Sequence, residues 1–188
     1  MIERGFDKLY YGFIFIMLSF RIQGIDILPD VIGYILFAYG FSFLSINNYY
    51  FEKASKYNVP MIILSIFSIY QKPATDPGFH LGSFGYLGIL ITIVSFVLNL
   101  LIVYNLFMGI KDMADVKGNP DISVESIERW NHYKYLMIAV LFSFILIIIP
   151  MLAIVYILVL LIVSIYVLLQ ILKFIKKCKE NLKNLEGS

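Results

Sequence analysis

The sequence predicts an all-α membrane protein: a polytopic helix bundle of six transmembrane helices with both termini cytoplasmic. Three observations predict it. The 188 residues are 60% hydrophobic and only 15% charged, with a mean hydropathy of +0.83. A water-soluble domain averages about 45–50% apolar and about 25% charged residues, so this chain has too little polar surface to cover itself in water. The apolar residues gather into runs of spanning length. With six runs counted, every Lys and Arg except Arg21 and Lys72 falls on one side, the asymmetry that marks the cytoplasmic face.

The first span is expected over about residues 5–22. No small-residue cleavage site follows it, so it reads as an uncleaved membrane helix rather than a signal peptide. The second covers about 27–46. The third is the weakest: its apolar run from Val59 to Tyr70 is short and has Pro60 at its start, so the helix is expected to begin near Phe51 and bend at the proline. Five spans with a re-entrant third segment is the alternative. The fourth is the strongest, since residues 81–110 carry no charge over about 45 Å of helix, more than a hydrocarbon core of about 30 Å. Residues 135–172 are again uncharged, nearly twice one span. Pro150 near their middle predicts a tight turn between a fifth and a sixth helix.

The chain is one bundle, residues 1–172, with a cytoplasmic loop at about 111–131 and a Lys-rich cytoplasmic tail, residues 173–188. In the loop, Asn119 is expected to cap a short helix that has Pro120 at its first position and Asp121 behind it. The tail should continue the sixth helix as an amphipathic end drawn to anionic headgroups. The lone cysteine, Cys178, excludes an internal disulfide and any cysteine-based metal site. Tyrosines such as Tyr10, Tyr11, Tyr34 and Tyr70 fit interfacial belts.

Two constellations stand out. "GIDILPDVIGYIL" (24–36) places Asp26, Pro29 and Asp30 between two apolar runs. The favoured account is a helix start: Gly24 turns, Asp26 caps, Pro29 and Asp30 fill the first turn, where a missing N–H is harmless and negative charge is favoured. The competing account joins Asp26 and Asp30 with Asp76 and His80 of the third outer segment as a cation-holding or polar rim. The second constellation is Gly85, Gly88, Thr92, Ser95 and Asn99, whose spacings of three and four draw one small and polar stripe along the fourth helix. Helix packing is the favoured use of such a stripe, and a solute path the competing one. Gly33 and Gly40, seven apart, share a face of the second helix.

"GIDILPDVIGYILFAYG" followed by "FEKASKY" resembles small multi-pass membrane proteins of low-GC Gram-positive bacteria. The resemblance covers the first two helices and the segment after them. It implies a bacterial cell membrane and carries no activity. No HExxH, GxSxG or Walker signature occurs, so no enzyme, metal or cofactor is expected, and a net charge of +2 gives no reason to expect nucleic acid. The reading is an accessory, sensory or structural membrane protein, with a membrane-protein partner or a second copy as the natural associate. A small oligomeric permease or channel using the stripe is the alternative.

Overall fold

A computed structural model describes residues 1–17, 21–22, 25–26, 30–46, 48–66, 86–146 and 149–182. Among these residues it is all-α, with six helices: α1 (Ile2–Met17), α2 (Asp30–Leu44), α3 (Tyr49–Ile66), α4 (Tyr86–Val116), α5 (Pro120–Leu146) and α6 (Pro150–Leu182). A two-residue antiparallel ladder, β1 (Arg21–Ile22) with β2 (Ile25–Asp26), lies between α1 and α2. Each helix packs on the next in sequence, and α6 packs back on α1, so the six form a closed up-and-down ring.

Three ties gather the basic helix ends at one end of this ring. Lys179 of α6 binds Asp7 of α1 through both carboxylate oxygens, at 2.8 and 2.9 Å. Lys117, in the turn between α4 and α5, donates to the Asn181 carbonyl of α6. Asn48, ahead of α3, donates to Asp112 near the end of α4 at 2.9 Å. Arg21, in β1, follows the other end of α1.

The centre is filled by phenyl rings. Phe51, Phe41, Phe37, Phe13, Phe107 and Phe174 form a chain of contacts across five of the helices, with centroids 5.0–6.3 Å apart. All six are buried. α1 and α2 approach each other backbone to backbone. Gly5 and Gly12 on one face meet Gly40 and Gly33 on the other, seven residues apart on each helix, so one glycine pair repeats two turns along the seam. A Cβ on Gly33 would stand 2.9 Å from the Gly12 carbonyl oxygen, and one on Gly40 3.1 Å from that of Gly5. Small residues permit this contact because no side chain separates the backbones. The seam uses the Gly33/Gly40 face legible in the sequence, and the partner glycines on α1 complete it.

Several expectations are modified. Residues 111–131, expected as a loop, are helical on both sides of a short turn at 117–119. Asn119 does cap α5, its Oδ1 accepting from the Ile122 N–H at 3.2 Å with Pro120 at the first position, but that helix runs 27 residues rather than being short. Gly118 supplies the turn's left-handed residue, at φ 66°. α6 does begin at Pro150. It then passes residue 172 without interruption to Leu182, and Phe174, Ile175, Cys178 and Leu182 are buried along it. One face of the Lys-rich segment therefore packs into the bundle. Burial pushes the Cys178 thiol far above its ordinary pKa. α3 starts at Tyr49 and passes through Pro60 without interruption. Tyr34 is buried rather than interfacial, whereas Tyr11 is exposed; Tyr70 lies outside the described residues.

Candidate functional site

The predicted outer rim is described only in part. Asp30 opens α2, as a first-turn acid should. Asp26 stands in β2, opposite Arg21, as a strand residue. Asp76 and His80 lie outside the described residues, as does Gly85 of the stripe. Among the described residues no three His, Cys, Asp or Glu side chains converge as a metal site. Along the rest of the stripe, Gly88 and Ser95 are half-buried and Thr92 is exposed, its hydroxyl turned back to donate to the Gly88 carbonyl at 2.9 Å.

Asn99 behaves differently. Its Nδ2 donates to the Tyr34 hydroxyl of α2 at 2.6 Å, and its Oδ1 accepts from the Tyr133 hydroxyl of α5. Asn58 of α3 joins from the other side, donating to the Tyr34 carbonyl at 2.7 Å. Four helices are thus bound through one polar cluster. Amide and phenol groups suit this role, since each phenol both donates and accepts and an amide offers both functions at once. The stripe legible in the sequence ends on Asn99, which ties helices together; its partners Tyr34, Tyr133 and Asn58 carried no periodic signal.

The second polar assembly is at the basic end, between α5 and α6. A groove of about 660 Å³ is lined by Glu125 and Arg129 of α5 and by Gln170, Lys173, Lys176, Lys177 and Glu180 of α6. Arg129 is its centre, with a side chain only 16% exposed. It bonds Glu125 at 2.9 Å and the Gln170 side-chain oxygen, and its Nε is buried without a hydrogen-bond partner among the described residues. Lys177 reaches the other Glu125 oxygen at 2.7 Å. Lys173 and Lys176 are exposed and enter no ion pair among the described residues. Trp130, beside Arg129, packs edge-on to Tyr104 of α4 at 5.2 Å. Glu125 and Arg129 are four apart and readable as a helical pair. Lys177 is far along the chain and becomes their partner only through the packing of α6 on α5.

Burial alone would raise the Glu125 pKa, but Lys177 and Arg129 outweigh it and hold the carboxyl below its ordinary value. A depressed acid contributes stability above its unfolded pKa of about 4.3, and that contribution is lost as pH falls through the folded value. Glu125→Gln is therefore expected to lower the melting temperature near neutral pH, and the difference from wild type should shrink below about pH 4. A difference that does not change with pH would mean that the pairing contributes nothing.

No family model, curated protein or solved structure matches the chain. Functional inference therefore rests on the two polar assemblies and on the apolar surface. α4 and α6 are each long and apolar enough to cross a membrane. Their most apolar 18-residue stretches have mean hydropathies of 2.5 and 3.1, yet only 11% and 17% of those stretches is buried.

Proposed function

We propose that the chain is a multi-pass integral membrane protein of six spans, with both termini cytoplasmic, and that it acts as an accessory, sensory or structural component rather than as an enzyme or transporter. The observation that carries this reading is the exposure of α4 and α6. A soluble protein can hold helices this apolar only by burying them, and here Leu90, Ile93, Ile154, Leu158, Leu161 and Ile162 all face outward. Lipid is the solvent that such a surface fits. The gathering of basic helix ends at one end of the ring favours a cytoplasmic placement of that end. The resemblance carried by residues 24–40 adds a bacterial cell membrane.

Against a permease, the axis at the level of Phe13, Phe37 and Phe107 is occupied by aromatic rings. The Asn99 amide already engages both its nitrogen and its oxygen in joining helices. The partners in this reading are the bilayer itself, anionic headgroups at the Lys-rich end, and another membrane protein or a second copy.

Membrane extraction and thiol labelling test the reading. The chain should remain in membranes after alkaline carbonate washing. In a Cys178→Ala background, Asn119→Cys, in the turn before α5, should react with an impermeant maleimide only after cells are opened. Labelling of that cysteine in intact cells would reverse the topology, and release into the carbonate supernatant would remove the membrane assignment altogether.

A further inference from the structure

We infer that the groove between α5 and α6 is a seat for one anionic phospholipid, its phosphate held by Lys173, Lys176 and Arg129 and its acyl chains laid along the outward face of α6. The inference rests on the membrane reading above and assigns a ligand to one place in it.

Three features point to this ligand. The first is charge. Arg129 and three lysines oppose two glutamates in the lining, and only Arg129 and Lys177 are engaged by Glu125. Lys173 and Lys176 remain as uncommitted donors beside the guanidinium, whose position is fixed by Glu125 and Gln170. A phosphate oxygen accepts well from such a group.

The second is depth. The uncharged run of α6 ends at Leu172, and Lys173 is its first charge. In a bilayer this boundary lies at the headgroup level, where a Trp such as Trp130 also prefers to sit. The third is continuity. Ile162, Tyr166, Leu169, Lys173 and Lys176 follow spacings of three and four, so they share one face of α6. The first three are exposed and apolar or aromatic, and the last two are cationic. A face that is apolar toward the membrane and basic at its boundary matches a molecule with a hydrocarbon part and an anionic part. Free phosphate would use only half of it. Basic pockets between helices on the cytoplasmic side are suited to such headgroups.

The test uses the full chain, delipidated in a neutral detergent, with thermal stability and native mass spectrometry as readouts. Phosphatidylglycerol should bind and raise the melting temperature, whereas phosphatidylcholine and inorganic phosphate should not. Lys173→Gln/Lys176→Gln removes two cations that enter no ion pair among the described residues. It should weaken phosphatidylglycerol binding by about thirtyfold, or about fivefold per lysine, while leaving the lipid-free melting temperature unchanged. Arg4→Gln/Lys8→Gln removes the same charge at the same end of the bundle and should leave binding within about twofold. Equal weakening by both double variants would overturn the seat in favour of diffuse attraction. Equal shifts from phosphatidylcholine and phosphatidylglycerol would overturn the charge selectivity. A shift from inorganic phosphate matching that from phosphatidylglycerol would make the groove a phosphate site and not a lipid site. Carbonate washing of the same variants reports on the membrane reading separately: loss of lipid selectivity in a chain that stays in the membrane overturns the seat alone.

Discussion

Gly33→Leu is expected to damage the α1–α2 seam severely. Even an alanine Cβ there would stand 2.6 Å from Ile16 and 2.9 Å from the Gly12 carbonyl oxygen. The obstacle includes backbone, which cannot rotate away as a side-chain tip can. α1 and α2 would have to separate, and the whole seam from Gly12–Gly33 to Gly5–Gly40 would open with them. Overpacking of this kind costs about 1–3 kcal/mol. The leucine should lie at the upper end or beyond it, and the alanine near the lower end. In lipid the loss cannot be recovered by hiding apolar surface elsewhere, because close packing itself supplies the attraction. Thermal melts in detergent would check it against Leu158→Ala, on the exposed face of α6, which should stay within about 0.5 kcal/mol of wild type. Melts of both Gly33 variants that match wild type would mean that α1 and α2 do not touch.

Asn48→Ala is expected to destabilise the basic end by about 2–3 kcal/mol, combining a lost helix cap with buried groups left unpaired. Asn48 does two jobs at once. Its Oδ1 accepts from the Tyr50 and Phe51 N–H groups, both at 3.1 Å, and so starts α3. Its Nδ2 donates to the Gly109 carbonyl at 3.3 Å and to Asp112 at 2.9 Å, and so fixes that start against α4. Asn48→Asp separates the two roles. It keeps the capping oxygen but sets a second carboxylate against Asp112, so near neutral pH it should still destabilise, through like-charge repulsion and the lost donor rather than through the cap. An alanine variant as stable as wild type would show that water replaces both roles without loss.

The two asparagine caps show how far local sequence carries the fold. Asn119 is legible because its signal is contiguous: the cap, a proline at the first helical position and an acid behind it. Asn48 is followed by Tyr49, Tyr50 and Phe51, with no proline and no acid in the capping-box position, and half of its function lies 64 residues away on Asp112. Helix number, the helix start at Pro150 and the segregation of basic ends were likewise readable, since composition and charge are properties of short stretches. The glycine seam was half readable. Gly33 and Gly40 mark a face, but the need for Gly5 and Gly12 appears only once α1 is known to lie against that face. Asn99 lay on a visible stripe, while Tyr34 looked like one more interfacial aromatic until its hydroxyl met an amide from another helix. The groove at Arg129 was the least legible, because a pair readable on α5 becomes a site only when Lys173, Lys176 and Lys177 are brought beside it.

The ring in which α6 packs against α1 also governs how the protein can be made. Each of the first five helices finds a neighbour as soon as the next one is synthesised. α1 also packs on α6, which is made only after the four helices between them, and the Lys179–Asp7 contact closes that long loop. Until then one flank of α1 lacks the neighbour that covers it in the folded chain. Loop closure over such a distance is entropically costly but grows only slowly with length. Ring closure is therefore a natural checkpoint for the nascent chain: a product truncated before α6 leaves α1 with an open flank, which α6 covers once it is made.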